Sequence, residues 1–118
     1  MTETFPEYLP AALPDVVTAY LDARDAQRHT DATAVFATDA TVRDDGNTYE
    51  GIDAISTWIA HSSTEYTYTS TRVGQRIIDD THTTVQVRLD GDFPGSTVTL
   101  RYQFEHVDGL ITRLAIEV

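Results

Sequence analysis

The chain reads as one α+β domain in which three helices lie on one side of a strongly bent antiparallel sheet, and three observations predict it. At 118 residues there is room for one domain and one core. Apolar residues recur at three and four through the first half of the chain and then change to strict alternation in the second half. They make up 41% of the composition, and a chain of this size buries about two-thirds of its unfolded surface, so the core needs no covalent staple.

Pro14 at a first helical turn, followed by Asp15, opens a helix placed at about 13 to 28, in which Val16, Val17, Tyr20, Leu21 and Arg24 share one face. Residues 1–12 are read as an N-terminal extension of the single domain 1–118. Asp31 suits the N-cap of a short second helix carrying Ala34, Val35 and Phe36. A brief strand from Thr41 to Asp44 turns at Asp45-Gly46-Asn47 and returns through Thr48 and Tyr49. The third helix spans Ile52 to His61, since Ile52, Ile55, Trp58 and Ile59 repeat at three and four.

Beyond it the period is two. Thr and Tyr alternate from Glu65 to Thr71; Val85, Val87 and Leu89 then alternate with polar residues, as do Val98, Leu100, Tyr102 and Phe104. These are long antiparallel strands with one wet and one dry face. For the last hairpin, a three-residue loop Val107-Asp108-Gly109 pairs Tyr102 with Leu114, Leu100 with Ile116 and Val98 with Val118, which keeps one face apolar and turns Tyr102 inward. A bent sheet closed by helices encloses a conical hollow, a natural pocket.

Charge and composition narrow the function. The formal net charge is −11, every cation is Arg, and there is neither Lys nor Cys. Thiolate zinc sites, cysteine nucleophiles, Schiff bases and the phosphate-cradling lysine are excluded, and so acidic a surface repels nucleic acid and anionic lipid. Met1 to Leu13 contain Glu3 and Glu7, no basic residue and no following apolar run, so a secretory leader is not expected. No apolar stretch approaches the roughly 20 residues that span a bilayer. The expected setting is the cytoplasm.

The order of helices and long strands, together with Phe36-Ala37-Thr38-Asp39-Ala40-Thr41-Val42-Arg43-Asp44 and Gly51-Ile52-Asp53-Ala54-Ile55-Ser56-Thr57-Trp58, resembles the NTF2-like superfamily with its cone-shaped, cystatin-like fold. The SnoaL-like and ketosteroid-isomerase-like branch is the most similar, over residues 14–118. The superfamily includes isomerases, polyketide cyclases, epoxide hydrolases, dehydratases and binding domains, so fold alone selects no reaction. The resemblance implies that Tyr20 takes the place of an oxyanion-binding tyrosine and Asp44 that of a base aspartate, with Tyr102 replacing a protonated aspartic acid on a late strand. The loop from Asp44 to Gly51 is shorter than in those isomerases, which argues against steroid-sized substrates.

Chemically, Asp44 has the character to remove a proton next to a carbonyl, while Tyr20 and Tyr102 donate to the oxygen where charge grows. Each has a plain structural alternative: Tyr20 as core, Asp44 as a turn carboxylate, Tyr102 as strand packing. Phe36, Val42, Trp58, His61, Tyr66, Tyr68, Leu100 and Phe104 are candidate pocket residues for a small apolar carbonyl compound, cyclic or polyketide-like. No cofactor is expected, and His29, His61, His82 and His106 show no metal-ligand spacing. Epoxide hydrolysis ranks lowest, because Arg101 has the opposite strand parity to Tyr102. A non-catalytic small-molecule-binding or dimerisation domain is the alternative function. A homodimer through the outer sheet face near Thr67 to Thr71 is expected from the resemblance.

Overall fold

In the computed structural model, which describes residues 7–62, 68–91 and 97–118, the chain order is α1 (Asp15–Asp25), α2 (His29–Ala34), β1 (Phe36–Asp44), β2 (Asn47–Glu50), α3 (Ile52–Ser62), β3 (Tyr68–Asp79), β4 (His82–Gly91), β5 (Thr97–Val107) and β6 (Leu110–Glu117). The strands form one curved sheet in the order β2-β1-β6-β5-β4-β3, and the three helices lie on it, giving the predicted α+β architecture. Among the described residues, the pairings are antiparallel except β1 with β6, which is parallel. Register shifts in β3, in the β1–β6 ladder and near Glu105 in the β5–β6 ladder mark bulges, which bend strands and add to the curvature.

Helix α1 stops at Asp25, short of the predicted end at 28, for a specific backbone reason. The Gln27 amide donates to the Arg24 carbonyl and the Arg28 amide to the Ala23 carbonyl, with Gln27 left-handed at φ 56°. This is a Schellman termination built without glycine. It delivers the chain straight into α2, so Asp31 is no N-cap: it sits in the first turn and pairs with Arg28 at 3.0 Å. Val35 is only the C-cap of α2, and Phe36 leaves the helix to start β1 beside Ile111.

The turn between β1 and β2 is a two-residue loop with Asp45 and Gly46 both at positive φ, as a type I′ hairpin requires. A second such loop, Asp108-Gly109, joins β5 to β6 and corrects the predicted register. Val107 pairs with Leu110, a bulge at Thr112 follows, and Tyr102 pairs with Ile116 and Phe104 with Leu114. The ladder is displaced by two residues from the predicted one, which preserves parity. Tyr102 therefore remains on the face toward the helices.

That inner face carries the core. Val17, Tyr20 and Leu21 of α1 and Ile55, Trp58 and Ile59 of α3 pack on Phe36, Val42, Val85, Val87, Phe104, Ile111 and Leu114. The described part of the N-terminal extension is bound to β3. The Gln75 side chain accepts from the Leu9 amide at 2.8 Å and donates to its carbonyl at 3.0 Å, while Arg72 donates to the Tyr8 hydroxyl and to Asp22 and Asp25 of α1. Among the described residues, no helix is long and apolar enough to cross a membrane.

Candidate functional site

Asp44 ends β1, and the two-residue period puts it on the same face as the fully buried Val42, toward α3. Trp58, on the buried stripe of α3, donates its indole N–H to Asp44 Oδ2 at 3.0 Å. One oxygen of the carboxylate is thereby held.

Tyr20 comes from the buried face of α1. Its ring is 1% exposed and is met edge-on by Phe36 at 5.5 Å and by Phe104 at 5.7 Å. One helical turn on, Arg24 donates from Nη1 to the Tyr20 hydroxyl at 3.0 Å and from Nη2 to Ser62 Oγ at 2.7 Å. The same guanidinium lies over the Trp58 indole, 4.9 Å from the ring centre. A continuous series of contacts thus runs from Asp44 through Trp58 and Arg24 to Tyr20.

Tyr102 is half-buried on the inner face of β5, its ring 6.4 Å from Phe104. Leu100 is also half-buried against the core. Tyr49 of β2 lies beside Trp58, the ring centres 6.0 Å apart. Phe36, Val42 and Phe104 are core residues in this arrangement. His61, in the last turn of α3, is exposed. Tyr66, Thr67 and the side chain of Tyr68 lie outside the described residues.

Arg24 and Ser62 were not among the sequence candidates. Arg24 was legible as a member of the α1 face, four residues after Tyr20, and Ser62 stands four residues after Trp58; both spacings place a side chain one turn along the same stripe.

The outer sheet face is chemically different. Arg101 is there, 3.7 Å from Glu117, as its parity predicts. A groove of about 440 Å³ on this face is lined by Arg76, His82, Arg101, Glu105, Arg113 and Glu117, among others. At its end His82 bridges Asp79 at 2.9 Å and Glu105 at 3.0 Å. The hydrogen bonds to Asp79 and then Glu105 raise the imidazole above its ordinary value. The Thr81 amide, and then His82, hold Asp79 down to about 2. His106, on the inner face and bonded to Thr83 at 3.1 Å, is shifted the other way by burial. No group of three His, Cys, Asp or Glu is placed to hold a metal among the described residues.

The comparisons with known proteins agree with this fold. The model of the SnoaL-like domain matches residues 17–114. The chain belongs to the SnoaL-like family. This SnoaL-like chain is also similar to a Sinorhizobium meliloti crystal structure named "putative polyketide cyclase", at 34% identity and TM-score 0.87, over 93% of this chain and 100% of that one. A Catenulispora acidiphila protein with a ketosteroid isomerase-like fold, in complex with trimethylamine, aligns at 21% identity and TM-score 0.76, over 91% of this chain and 87% of that one. A Novosphingobium aromaticivorans cystatin-fold protein aligns at 12% identity and TM-score 0.74, over 88% and 96%. The latter two bear on the fold alone. No curated protein matches the SnoaL-like chain.

Proposed function

We propose that this SnoaL-like chain is a cofactor-free enzyme that removes a proton next to a carbonyl of a small cyclic or polyketide-like compound. The observation that carries the reading is the linkage of Asp44 to Tyr20 through Trp58 and Arg24, which ties a carboxylate and a phenol into one assembly. In this role Asp44 is the general base, a contribution of about 10²- to 10⁴-fold. Tyr20 donates to the oxygen where charge develops, which is worth about 10²- to 10³-fold per donor. Tyr102 is the helper donor, and Phe36, Leu100 and Phe104 supply apolar walls. The likeness to the protein named "putative polyketide cyclase" supports the substrate class.

The test is Asp44→Asn, assayed against a panel of cyclic enones and polyketide-like ketones. Asparagine still offers Trp58 an oxygen to donate to, so the variant keeps this contact. A fall in turnover of about 10²-fold or more is expected; unchanged turnover in the folded variant removes Asp44 from the mechanism.

One observation favours a second reading, a small-molecule-binding domain without chemistry: the enclosed ring of Tyr20 and its hydroxyl bonded to Arg24 also describe a satisfied core tyrosine. A ligand recovered chemically unaltered after incubation with the protein supports that reading, and its conversion defeats it.

We also infer a homodimer through the outer sheet face. Arg43, Arg76, Arg88, Arg101 and Arg113 stand on this face with Glu50, Asp90, Glu105 and Glu117. Most of the net charge of −11 therefore comes from other surfaces. Two such chains repel least where their charges are balanced and interleaved.

A further inference from the structure

We propose that Arg24 is a positioning residue that commits the Tyr20 phenol to act as a hydrogen-bond donor, and that it strengthens that donor. The proposal rests on the reading of Tyr20 as the oxyanion-binding group, and deepens it.

A phenol has one proton and two oxygen lone pairs, so it can donate, accept or do both. Guanidinium has donors and no acceptor. Because Arg24 Nη1 lies 3.0 Å from the Tyr20 oxygen, this contact has only one polarity: the arginine gives and the phenol receives. The phenolic proton is directed away from Arg24, toward whatever partner lies beyond the ring tip. A cation donating to the oxygen also stabilises negative charge there. The O–H becomes a better donor as charge grows on a bound oxygen.

Two features make this a fixed arrangement rather than a passing contact of a long side chain. Ser62 Oγ receives the second arm of the guanidinium at 2.7 Å, 38 residues away in sequence. The guanidinium carbon lies over the Trp58 ring, 4.9 Å from its centre, a cation–π contact. Arg24 is therefore gripped by α3 while it bonds α1. Arginine also remains charged throughout the range in which a tyrosine titrates.

Other titratable groups stand on the surrounding elements. On α1, Asp22 and Asp25 are bound to Arg72; α2 carries His29 and Asp31, and α3 carries Asp53 and His61. On the sheet, Asp44 is held by Trp58 and His106 is bonded to Thr83. Arg24 bonds the phenol directly, from Nη1 at 3.0 Å.

The experiment is an alkaline titration of phenolate absorbance, with Tyr20→Phe subtracted to isolate Tyr20 from the other tyrosines. In Arg24→Met the Tyr20 midpoint is expected to rise by about 1 unit or more, as loss of an adjacent opposite charge requires. Arg24→Lys is expected to restore most of the shift. An unchanged midpoint in folded Arg24→Met overturns the proposal. If that variant does not fold, Arg24→Gln takes its place; it removes the charge while keeping a polar side chain at this position, and an unchanged midpoint there is equally decisive. The titration needs no substrate. Failure to find turnover on any carbonyl compound would strike the proposed enzyme while leaving the effect of Arg24 on Tyr20 measurable. With turnover in hand, Arg24→Met is expected to lower kcat with little change in KM.

Discussion

Trp58 and Asp44 are joined by a single hydrogen bond of 3.0 Å from the indole nitrogen to the carboxylate, across a helix and a strand that no local pattern connects. The indole that holds the carboxylate is also the surface on which Arg24 rests.

Trp58→Phe tests that double role. Phenylalanine keeps an aromatic surface beneath Arg24 but cannot donate to Asp44. A loss of about 1.5–3 kcal/mol is expected, the range for a bond to a charged group. Urea unfolding of the variant beside the parent measures it. Asp44→Asn in the Trp58→Phe background is expected to cost less stability than in the parent, since the shared contact is already gone.

Trp58 is also the one tryptophan in the sequence, so emission excited selectively from tryptophan reports from this place alone. A ligand that enters beside Asp44 is expected to change the emission, with a saturating dependence on ligand concentration. The response should weaken in Asp44→Asn. Compounds that turn over without altering the emission would place the chemistry elsewhere.

Phe104 touches Tyr20 on one side and Tyr102 on the other and is 1% exposed. Phe104→Ala is expected to cost about 3–5 kcal/mol through lost burial and the cavity left behind. Phe104→Leu should cost markedly less, because it fills more of the space. Equal losses in chemical denaturation would show that ring contacts rather than volume matter here.

The two sheet histidines should titrate on opposite sides of the ordinary value of 6.5. His82 is raised, so the stability from its bridge is complete below about pH 6.5 and disappears as pH climbs through the raised value. Asp79 is lowered, so its contribution is present above 3.8 and disappears as pH falls through about 2. His106 is lowered: below 6.5 the unfolded chain binds the proton more readily, which opposes folding. NMR titration of the imidazole protons should give the higher midpoint to His82, and His82→Gln should destabilise at about pH 5 but hardly at about pH 9. The reverse order of midpoints would contradict the geometry.

Sedimentation at micromolar concentration is expected to give twice the chain mass of 13.1 kDa. Arg101→Glu, which places a third negative group beside Glu117 and Glu105 in the outer groove, should shift the population toward monomer. High salt should narrow the difference, since exposed charges are screened. A parent protein that sediments as a monomer contradicts the pairing.

Periodicity alone determined the α+β class, α3 within one residue, the alternating faces of β4 and β5, and the side of β1 on which Asp44 stands, because each is a property of a few neighbouring residues and the geometry of one element. The end of α1 was hidden, since Gln27 adopts a left-handed conformation without the glycine that would announce it. The parallel pairing of β1 with β6 and the bulged register of β5 with β6 depend on segments far apart in the chain, whose meeting is decided by sheet curvature. Arg24 shows the division most clearly. Its spacing from Tyr20 states that the two share a face of α1, but only the packing of α1 against α3 brings its guanidinium onto Trp58 and Ser62, where a charge on a long side chain becomes a fixed part of the site.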